Sequence, residues 1–360
     1  MRVFQNIGLY PAYLPQMNVI WDGATDFTGM VRGLLEDRFN GVHHLKPAIY
    51  YDEACFFTSG DNQRLQGQWA KEAGLRADAP LEDILLAQIE HHRTDVLYNL
   101  DPVRYGNSFL KRLPGCVKRT IAWRAAPSGN AQFLDHDLIV NNYPSLADQY
   151  RAQGARTAFF FPGHDPAMDA FADNRHRPID VLFIGGYSRH HLERSATLEA
   201  VSRMADKYNV VFNLDVSRAT RLAESPFGWV GPLRKLRRPR SIRAISGRPV
   251  FGCDMYRQIA KAKVVINGKV DIAGPDRGNM RVWETLGCGA ALVTDIGRYP
   301  AGMDKSRHFA TYDSKDKLVT CIDDLLSDDS RREEVAAAGN HMIRTAYSKE
   351  IQWQAFQELV

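Results

Sequence analysis

Carboxylates, glycines and an asparagine stand close together between residues 276 and 289, in a pattern suited to a phosphorylated, hydroxyl-rich ligand. Gly278 permits close backbone approach, and Asn279 is predicted to cap a short helix with its side chain. The amides of residues 280–282 then have no intrahelical partner, so they can stabilise an anion together with the helix dipole. Glu284 lies one turn further along, where its carboxylate could accept two hydrogen bonds from a ribose diol. The pattern indicates a site for a nucleotide sugar.

A purely structural interpretation of the same segment is also available. Arg281 and Glu284 are three positions apart on one predicted helix, so they could simply pair at the surface. Glycines are common where loops, helices and strands join, and Gly289 is predicted to end the helix in a left-handed conformation. The local pattern leaves both interpretations open.

Two glycines and two arginines follow another predicted strand, residues 179–184. Gly185 and Gly186 could bring the backbone close to a ligand, and Arg189 or Arg194 could bind a diphosphate with two parallel hydrogen bonds. A glycine pair after a strand is weak evidence alone. The indication of a ligand site is stronger because residues 276–289 also follow a strand of the same predicted sheet.

Asn267 ends a further predicted strand, residues 264–267. Ligands of parallel sheets bind beyond the carboxyl ends of the strands, so Asn267 is expected at the same edge as the two glycine-containing segments. The alternative is that its side chain only caps the end of the strand.

Strands alternate with helices along the whole chain, which predicts an α/β protein with parallel sheets covered on both faces. A polar, proline-marked stretch between residues 162 and 178 separates two series of strands. We therefore predict two doubly wound Rossmann-like domains with an interdomain cleft, residues 1–170 and 171–345, followed by a helix, residues 346–360, that crosses back toward the first domain. The predicted strands span residues 3–8, 48–51, 95–100, 118–123, 137–140, 157–161, 179–184, 210–214, 264–267, 290–294 and 309–312.

Composition supports a soluble protein. The chain has 360 residues, of which 44% are hydrophobic and 24% charged, an ordinary globular balance. Its net charge of +4 is too small to indicate nucleic-acid binding by itself. No apolar run is long enough to span a membrane, and the N-terminal residues lack the apolar core of a signal peptide. We expect a cytoplasmic protein.

The second half of the sequence resembles the donor domain of GT-B glycosyltransferases (glycosyl transferases group 1), most of all the spore-maturation-protein-type, CgeB-like group. The similarity covers most of residues 155–360, and its clearest motif is Arg-Val-Trp-Glu-Thr-Leu-Gly-Cys-Gly-Ala around Glu284. The resemblance implies two acids eight positions apart, which fall on Asp276 and Glu284. It implies that the second acid binds the donor ribose and that the first contacts the donor sugar. Asp276 replaces the glutamate of the family and is one methylene shorter.

The resemblance implies a hexosyltransferase-like enzyme of polysaccharide biosynthesis that moves a sugar from a nucleotide-sugar donor to a glycan, lipid-linked or small-molecule acceptor. The nucleotide sugar is a substrate, so no cofactor is expected. A nucleotide-sugar epimerase or hydrolase on the same fold is the nearest alternative. A non-catalytic nucleic-acid-binding protein is a second alternative, but the basic stretch lacks the interleaved aromatic residues that stack on bases.

No metal site is predicted. The five cysteines are scattered without a C-x-x-C pair, and no Asp-x-Asp motif stands where a donor would sit. Metal-independent transfer requires helix-end amides and Arg or Lys side chains to stabilise the leaving diphosphate. Neighbouring residues on a helix do not face one another, so we interpret three histidine pairs as surface or packing residues. These pairs are His43-His44, His91-His92 and His190-His191.

The first domain should supply the acceptor contacts. The candidates are residues 8–16, Asp22, Asp52 and Asp101. Asp101 follows a predicted strand and is our candidate catalytic residue in this domain. The alternative is that Asp101 only forms a turn before Pro102.

A stretch of basic residues without an acid lies between strands of the donor domain, from Arg234 to Arg248. One hypothesis is peripheral contact with the anionic inner face of a membrane, near a lipid-linked acceptor. A second is binding of an acidic glycan acceptor. The third is a solvated insertion without a partner.

Overall fold

The computed structural model describes residues 1–187, 192–229, 232–268 and 273–360. The chain divides into two compact units, each built on a fully parallel six-stranded sheet with helices, so the predicted α/β class with two Rossmann-like domains is confirmed. The first unit comprises Met1–Gly163, Tyr347–Val360 and the described part of Ile272–Asp276. The second comprises the described parts of His164–Asp271 and Arg277–Ala346.

The sheet of the first unit has the strand order β2-β1-β3-β4-β5-β6. Its strands are β1 (Val3–Ile7), β2 (Cys55–Ser59), β3 (Val96–Asn99), β4 (Arg119–Trp123), β5 (Leu138–Asn141) and β6 (Thr157–Phe159). Its helices are α1 (Leu14–Ile20), α2 (Phe27–Asp37), α3 (Lys46–Ile49), α4 (Gln63–Glu72), α5 (Leu81–His91), α6 (Asn107–Leu110), α7 (Pro144–Ala152) and α16 (Lys349–Glu358), with a 3₁₀ turn at Gly41–His43. The strand order reverses between β1 and β3, which is therefore the topological switch point of this sheet.

The sheet of the second unit has the order β12-β11-β10-β7-β8-β9, and its switch point lies between β7 and β10. Its strands are β7 (Ile179–Gly186), β8 (Val210–Asp215), β9 (Ser246–Gly247), β10 (Ala262–Ile266), β11 (Ala291–Asp295) and β12 (Ala310–Tyr312). Its helices are α8 (Asp169–Ala172), α9 (Leu192–Ser202), α10 (Arg218–Glu224), α11 (Arg240–Ala244), α12 (Gly252–Ala260), α13 (Met280–Gly287), α14 (Lys315–Ser327) and α15 (Asp329–Ala346). Four 3₁₀ turns lie at Pro166–Met168, Arg203–Asp206, Pro226–Trp229 and Pro232–Leu236.

Burial explains why these segments form central strands. All residues of β1, β3, β5 and β11 are buried, as expected for strands covered by helices on both faces. Branched and aromatic residues dominate these strands, and they pack well on a pleated surface. The two sheets therefore present fixed carboxyl edges, where loops can hold functional side chains.

One predicted strand, residues 48–51, is wrong. Pro47 stands in the first turn of the short helix α3, where its fixed backbone angle is favourable. Tyr51 adopts a left-handed conformation, with φ of 55°, just beyond this helix. The strand of this region is β2, which begins at Cys55 and pairs in parallel with β1. Asp52 therefore precedes its strand and lies at the amino edge of the sheet, away from the edge where acceptor contacts were expected.

The C-terminal helix α16 belongs to the first unit and is anchored by a buried lysine. Lys349 is 1% exposed, and its ammonium group donates to the carbonyls of Gly41, Val42 and His44 at 2.7–3.0 Å. A fourth hydrogen bond goes to the side chain of Gln352 at 2.9 Å. The charge is thus fully solvated by protein groups.

The histidine pairs differ in their surroundings. His43 and His44 are buried, and desolvation together with the charge of Lys349 lowers the pKa of His43 to about 3. His91 is exposed and His92 is buried, while His190-His191 lies outside the described residues. The described part of the chain contains no cluster of metal-ligating side chains, and none of its helices is long and apolar enough to cross a bilayer.

Candidate functional site

A cavity of about 350 Å³ opens at the carboxyl edge of the second sheet, at the switch point. Four strands contribute to its wall. Phe183 comes from β7, Asn267 directly follows β10, and Asp295 and Tyr312 end β11 and β12. Such crevices are the usual ligand sites of doubly wound sheets.

The charged residues of this cavity favour an anionic ligand. Arg194 on α9, Arg277 and Lys315 supply cations, and Lys315 is the first residue of α14. The N-terminus of that helix adds a positive dipole end. Two carboxylates, of Asp295 and Asp313, also line the cavity.

An ion pair between Arg277 and Asp295 forms part of the wall. The distance from Arg277 Nε to Asp295 Oδ2 is 2.5 Å, and both side chains are only about one-tenth exposed. Neither residue was predicted as a site residue from the sequence, although Arg277 lies within residues 276–289 and Asp295 directly follows the predicted strand 290–294. Both residues lie at the carboxyl edge of the sheet, and this position is the signal that could have identified them as site residues.

Asn267 and Asn279 hold each other by two reciprocal hydrogen bonds. Asn267 Nδ2 donates to Asn279 Oδ1, and Asn279 Nδ2 donates to Asn267 Oδ1, both at 3.1 Å. Asn279 occupies the cap position of α13, but its side chain makes no capping hydrogen bond, so the predicted side-chain cap is wrong. The carboxamide instead ties the start of α13 to the end of β10, next to the cavity.

Arg281 and Glu284 pair as the structural interpretation allowed, but in the interior. Arg281 Nη1 donates to Glu284 Oε2 at 2.7 Å, and the Glu284 side chain is 3% exposed. Burial raises the pKa of the Glu284 carboxyl, and the nearby carboxylate of Asp165 raises it further, while Arg281 lowers it. The Tyr256 hydroxyl in turn donates a hydrogen bond of 3.1 Å to Asp165 Oδ2.

The far end of α13 is fixed by backbone contacts. The Arg177 guanidinium donates to the carbonyls of Cys288 and Gly289 at 3.2 and 2.8 Å, and to that of Ala262 at 3.0 Å. Asn340 donates to the carbonyls of Leu286 and Gly287, the last residues of the helix. Gly289 has φ of 65°, so the predicted left-handed residue is confirmed. The helix that carries Glu284 is therefore rigidly placed.

The glycines of the predicted site have structural roles. Gly185 and Gly186 are the last residues of β7 and pair with Leu214 and Asp215 of β8, so the prediction that they follow the strand is wrong. Gly278 has φ of 115°, and a β-carbon there would meet the Trp283 ring at 3.1 Å.

The predicted donor residues are only partly brought together. Within the described part of the chain, Asn267 lines the cavity, and Asn279 is hydrogen-bonded to Asn267. Arg281 and Glu284 instead form a buried ion pair. Arg189 lies outside the described residues.

Asp276 is placed in the first unit. Its side chain is buried, and Oδ2 accepts a hydrogen bond of 2.6 Å from the backbone amide of Ser145 in the first turn of α7. The cap residue of that helix, Tyr143, makes no capping hydrogen bond with its own side chain. The carboxylate thus satisfies an amide that lacks an intrahelical partner.

Asp101 lies at the switch point of the first sheet, just after β3. Its Oδ2 is 3.2 Å from Arg104 Nε, and a β-carbon built on Gly8, after β1, would stand 3.2 Å from the same oxygen. Burial raises the pKa of the Asp101 carboxyl, the charge of Asp61 raises it further, and Arg104 lowers it. The group is therefore better suited to accept a proton than an exposed aspartate.

Comparison with known proteins gives the class of the fold. Residues 194–358 match the glycosyl transferase-like family. HepE from Anabaena, solved with UDP and glucose, shares 12% identity at a TM-score of 0.58, over 100% of this chain and 99% of HepE. A glycosyltransferase from Rickettsia africae shares 10% at 0.56, over 99% and 97% of the two chains. Sucrose-phosphate synthase from Thermosynechococcus elongatus shares 10% at 0.52, over 100% and 98%.

The whole chain therefore has the GT-B fold of glycosyltransferases. Within it, residues 194–358 carry the similarity to the glycosyl transferase-like family. No curated protein matches the chain in sequence. The CgeB-like subgroup stays a prediction.

Proposed function

We propose that this protein is a glycosyltransferase that moves a hexosyl group from a nucleotide-sugar donor to a glycan, lipid-linked or small-molecule acceptor, without a metal. The observation that carries the proposal is the cation-lined cavity at the switch point of the second sheet. Its volume suits a nucleotide, and Arg194 and Lys315, beside the Arg277–Asp295 ion pair, suit a diphosphate. The family match of residues 194–358 and the UDP complexes of HepE support the same activity.

The donor roles are proposed from the positions of the residues and from the resemblance. Asn267 and Asn279 would address the donor at the cavity wall. Glu284 would bind the ribose, and Arg281 would hold the Glu284 carboxylate in place. Gly185 and Gly186 would let the diphosphate approach the end of β7.

The acceptor role is proposed for the first unit. Asp101 would accept the proton of the attacking hydroxyl, because it stands at the switch point with a raised pKa. Asp276 has two proposed roles, as contact for the donor sugar and as the cap of α7.

The experiment is a thermal-shift and calorimetric screen of the full chain against nucleoside diphosphates and their sugars, with UDP and UDP-glucose first. Binding of at least one nucleotide sugar, followed by sugar transfer in the presence of excess chelator, is expected. Turnover of the donor without any acceptor would favour an epimerase or hydrolase. Salt-dependent RNA or DNA binding with no nucleotide affinity would overturn the proposal. Loss of transfer with chelator would overturn only its metal independence.

A further inference from the structure

Two buried asparagines fix the strand ends at the switch point of the first sheet. Asn6 on β1 accepts a hydrogen bond from the amide of Gly60 at 2.8 Å and donates to Asn99 on β3 at 3.1 Å. The same oxygen of Asn99 accepts the amide of Asp101 at 3.0 Å. The backbone just before Asp61 and the backbone of Asp101 are therefore held by one continuous network.

The side chain of Asp61 extends this network to the turn after β1. Its Oδ2 accepts the amide of Leu9 at 3.0 Å, and its Oδ1 accepts the hydroxyl of Ser59 at 2.7 Å. Leu9 directly follows Gly8. A β-carbon built on Gly8 would stand 3.2 Å from Asp101 Oδ2, so the glycine leaves room for this carboxylate. Asp61 thus fixes the piece of backbone against which Asp101 rests.

We propose that Asp61 is the positioning residue of the acceptor site: it fixes the Gly8–Leu9 turn and, through it, the carboxylate of Asp101. The inference rests on the proposed function, because it assigns the surroundings of the group that takes the acceptor proton. Asp61 itself stays a positioning residue, since both of its oxygens are engaged by protein donors.

The two carboxylates also interact through their charges. Among the described residues, the groups that act on the pKa of Asp101 are Asp61, which raises it, and Arg104, which lowers it, beside the dominant effect of burial. Burial raises the pKa of Tyr105, on which the charges of Asp101 and Asp61 also act, so its hydroxyl stays neutral in the working range. Removal of the Asp61 charge should therefore lower the pKa of Asp101, and the base form should persist to lower pH.

The test compares Asp61→Asn with Asp61→Ala. The asparagine can still accept the Leu9 amide but carries no charge, whereas alanine loses both properties. With the nucleotide sugar found by screening, the acid limb of the kcat/KM profile should move to lower pH in Asp61→Asn. In Asp61→Ala, kcat should fall about tenfold or more, because a misplaced base is costly. Asp78→Asn is the matched control, since Asp78 is an exposed acid of the same unit that pairs with Arg76.

A second readout does not need activity. Carbon-13 NMR of aspartate carboxyls in the full chain, with the Asp101 signal assigned from Asp101→Asn, gives the pKa of Asp101 directly. A lower value in Asp61→Asn is expected, with no change in Asp78→Asn. Wild-type kcat in Asp61→Ala would overturn the positioning role of Asp61. Equal pKa values of Asp101 in wild type and Asp61→Asn, or an unchanged acid limb, would overturn the charge interaction between the two carboxylates. A wild-type protein that transfers no sugar but shows the NMR shift would instead contradict the proposed function.

Discussion

Asn267 and Asn279 exchange two hydrogen bonds of 3.1 Å between the end of β10 and the start of α13. Asn267 is 9% exposed, so loss of its partner leaves polar atoms with little access to water. Asn279→Ala should lower the free energy of unfolding by about 1–3 kcal/mol. It should weaken nucleotide binding about tenfold, because α13 is no longer tied to the cavity wall.

The interaction is isolated by a double-mutant cycle of Asn267→Ala and Asn279→Ala, measured by urea unfolding. A coupling free energy of about 0.5–3 kcal/mol is expected for groups in direct contact. Asn209→Ala removes an exposed asparagine of the same unit and serves as the control. Strict additivity of the two losses would contradict the pairing.

Glu284 should oppose stability at neutral pH. Its pKa is raised by burial, so the fold favours the protonated form. The stability gained from the protonated Glu284 carboxyl is fully present below the ordinary pKa of about 4.5. It is lost as the pH rises through the raised pKa of the folded protein. Glu284→Gln should therefore be more stable than wild type at pH 7, and this advantage should vanish near pH 4 in melting curves.

The same variant should bind donor about tenfold less tightly or worse, because an amide offers a weaker acceptor to a ribose diol than a carboxylate. Glu284→Ala should lose more affinity while keeping its circular dichroism spectrum. The control is Gln66→Ala, which removes a buried polar side chain of the first unit. Nucleotide affinity at the wild-type level in Glu284→Ala would remove Glu284 from the site.

Asp276 should contribute to the stability of α7. Asp276→Ala removes the acceptor of the Ser145 amide and should cost about 0.5–2 kcal/mol, the usual range for a lost helix cap. Asp26→Ala is a matched control, because Asp26 caps α2 by accepting the Gly29 amide at the same distance, 2.6 Å. Equal unfolding free energies of wild type and Asp276→Ala would refute the capping role. Asp276→Asn can keep the cap, so a large loss of kcat in that variant would identify a contact with the sugar.

Arg177 should act on stability rather than on chemistry. Arg177→Ala would leave several buried carbonyls without a donor, at about 1–3 kcal/mol each, so the melting temperature of the second unit should fall by many degrees. Arg177→Lys should recover only part of the loss, because an ammonium lacks the planar fork. The exposed Arg175→Ala should leave melting unchanged. A wild-type melting temperature in Arg177→Ala would contradict the assigned role.

Most of the fold was predictable because local sequence patterns determine the strands and helices. Several wrong predictions concern side chains whose contacts join residues far apart in the sequence. The alternation of strand and helix patterns in the sequence predicted both sheets and the positions of most strands. The apolar character of residues 48–51 predicts a strand, yet Pro47 lies in the first turn of a helix there and β2 follows at Cys55. This misplacement put Asp52 at the functional edge in place of Asp61, which comes just after the true strand.

The site residues show the same limit. An asparagine before a helix ordinarily caps it, but the Asn279 side chain bonds to Asn267, twelve positions earlier and directly after β10. Asp276 caps a helix 131 positions away, a contact that no local pattern encodes. Glu284 was selected by its motif, but its burial depends on packing against elements outside the motif, including Asp165.

The basic stretch from Arg234 to Arg248 offers fewer outward charges than its sequence indicates. Arg238 donates two side-chain hydrogen bonds to Glu224, at 2.8 and 2.7 Å, and its side chain is only 11% exposed. Arg234, Lys235, Arg240 and Arg248 are exposed.

At about 1 kcal/mol per cation near an anionic surface, these four exposed cations could support weak, salt-sensitive binding to a membrane. Sedimentation with anionic liposomes should show binding at low salt that is lost at high salt. Replacement of the four exposed cations by glutamine should abolish it, whereas Arg238→Gln should leave it intact and lower stability instead. No sedimentation of the wild type at low salt would exclude the membrane hypothesis, and retention on an acidic glycan column would then favour an acidic acceptor.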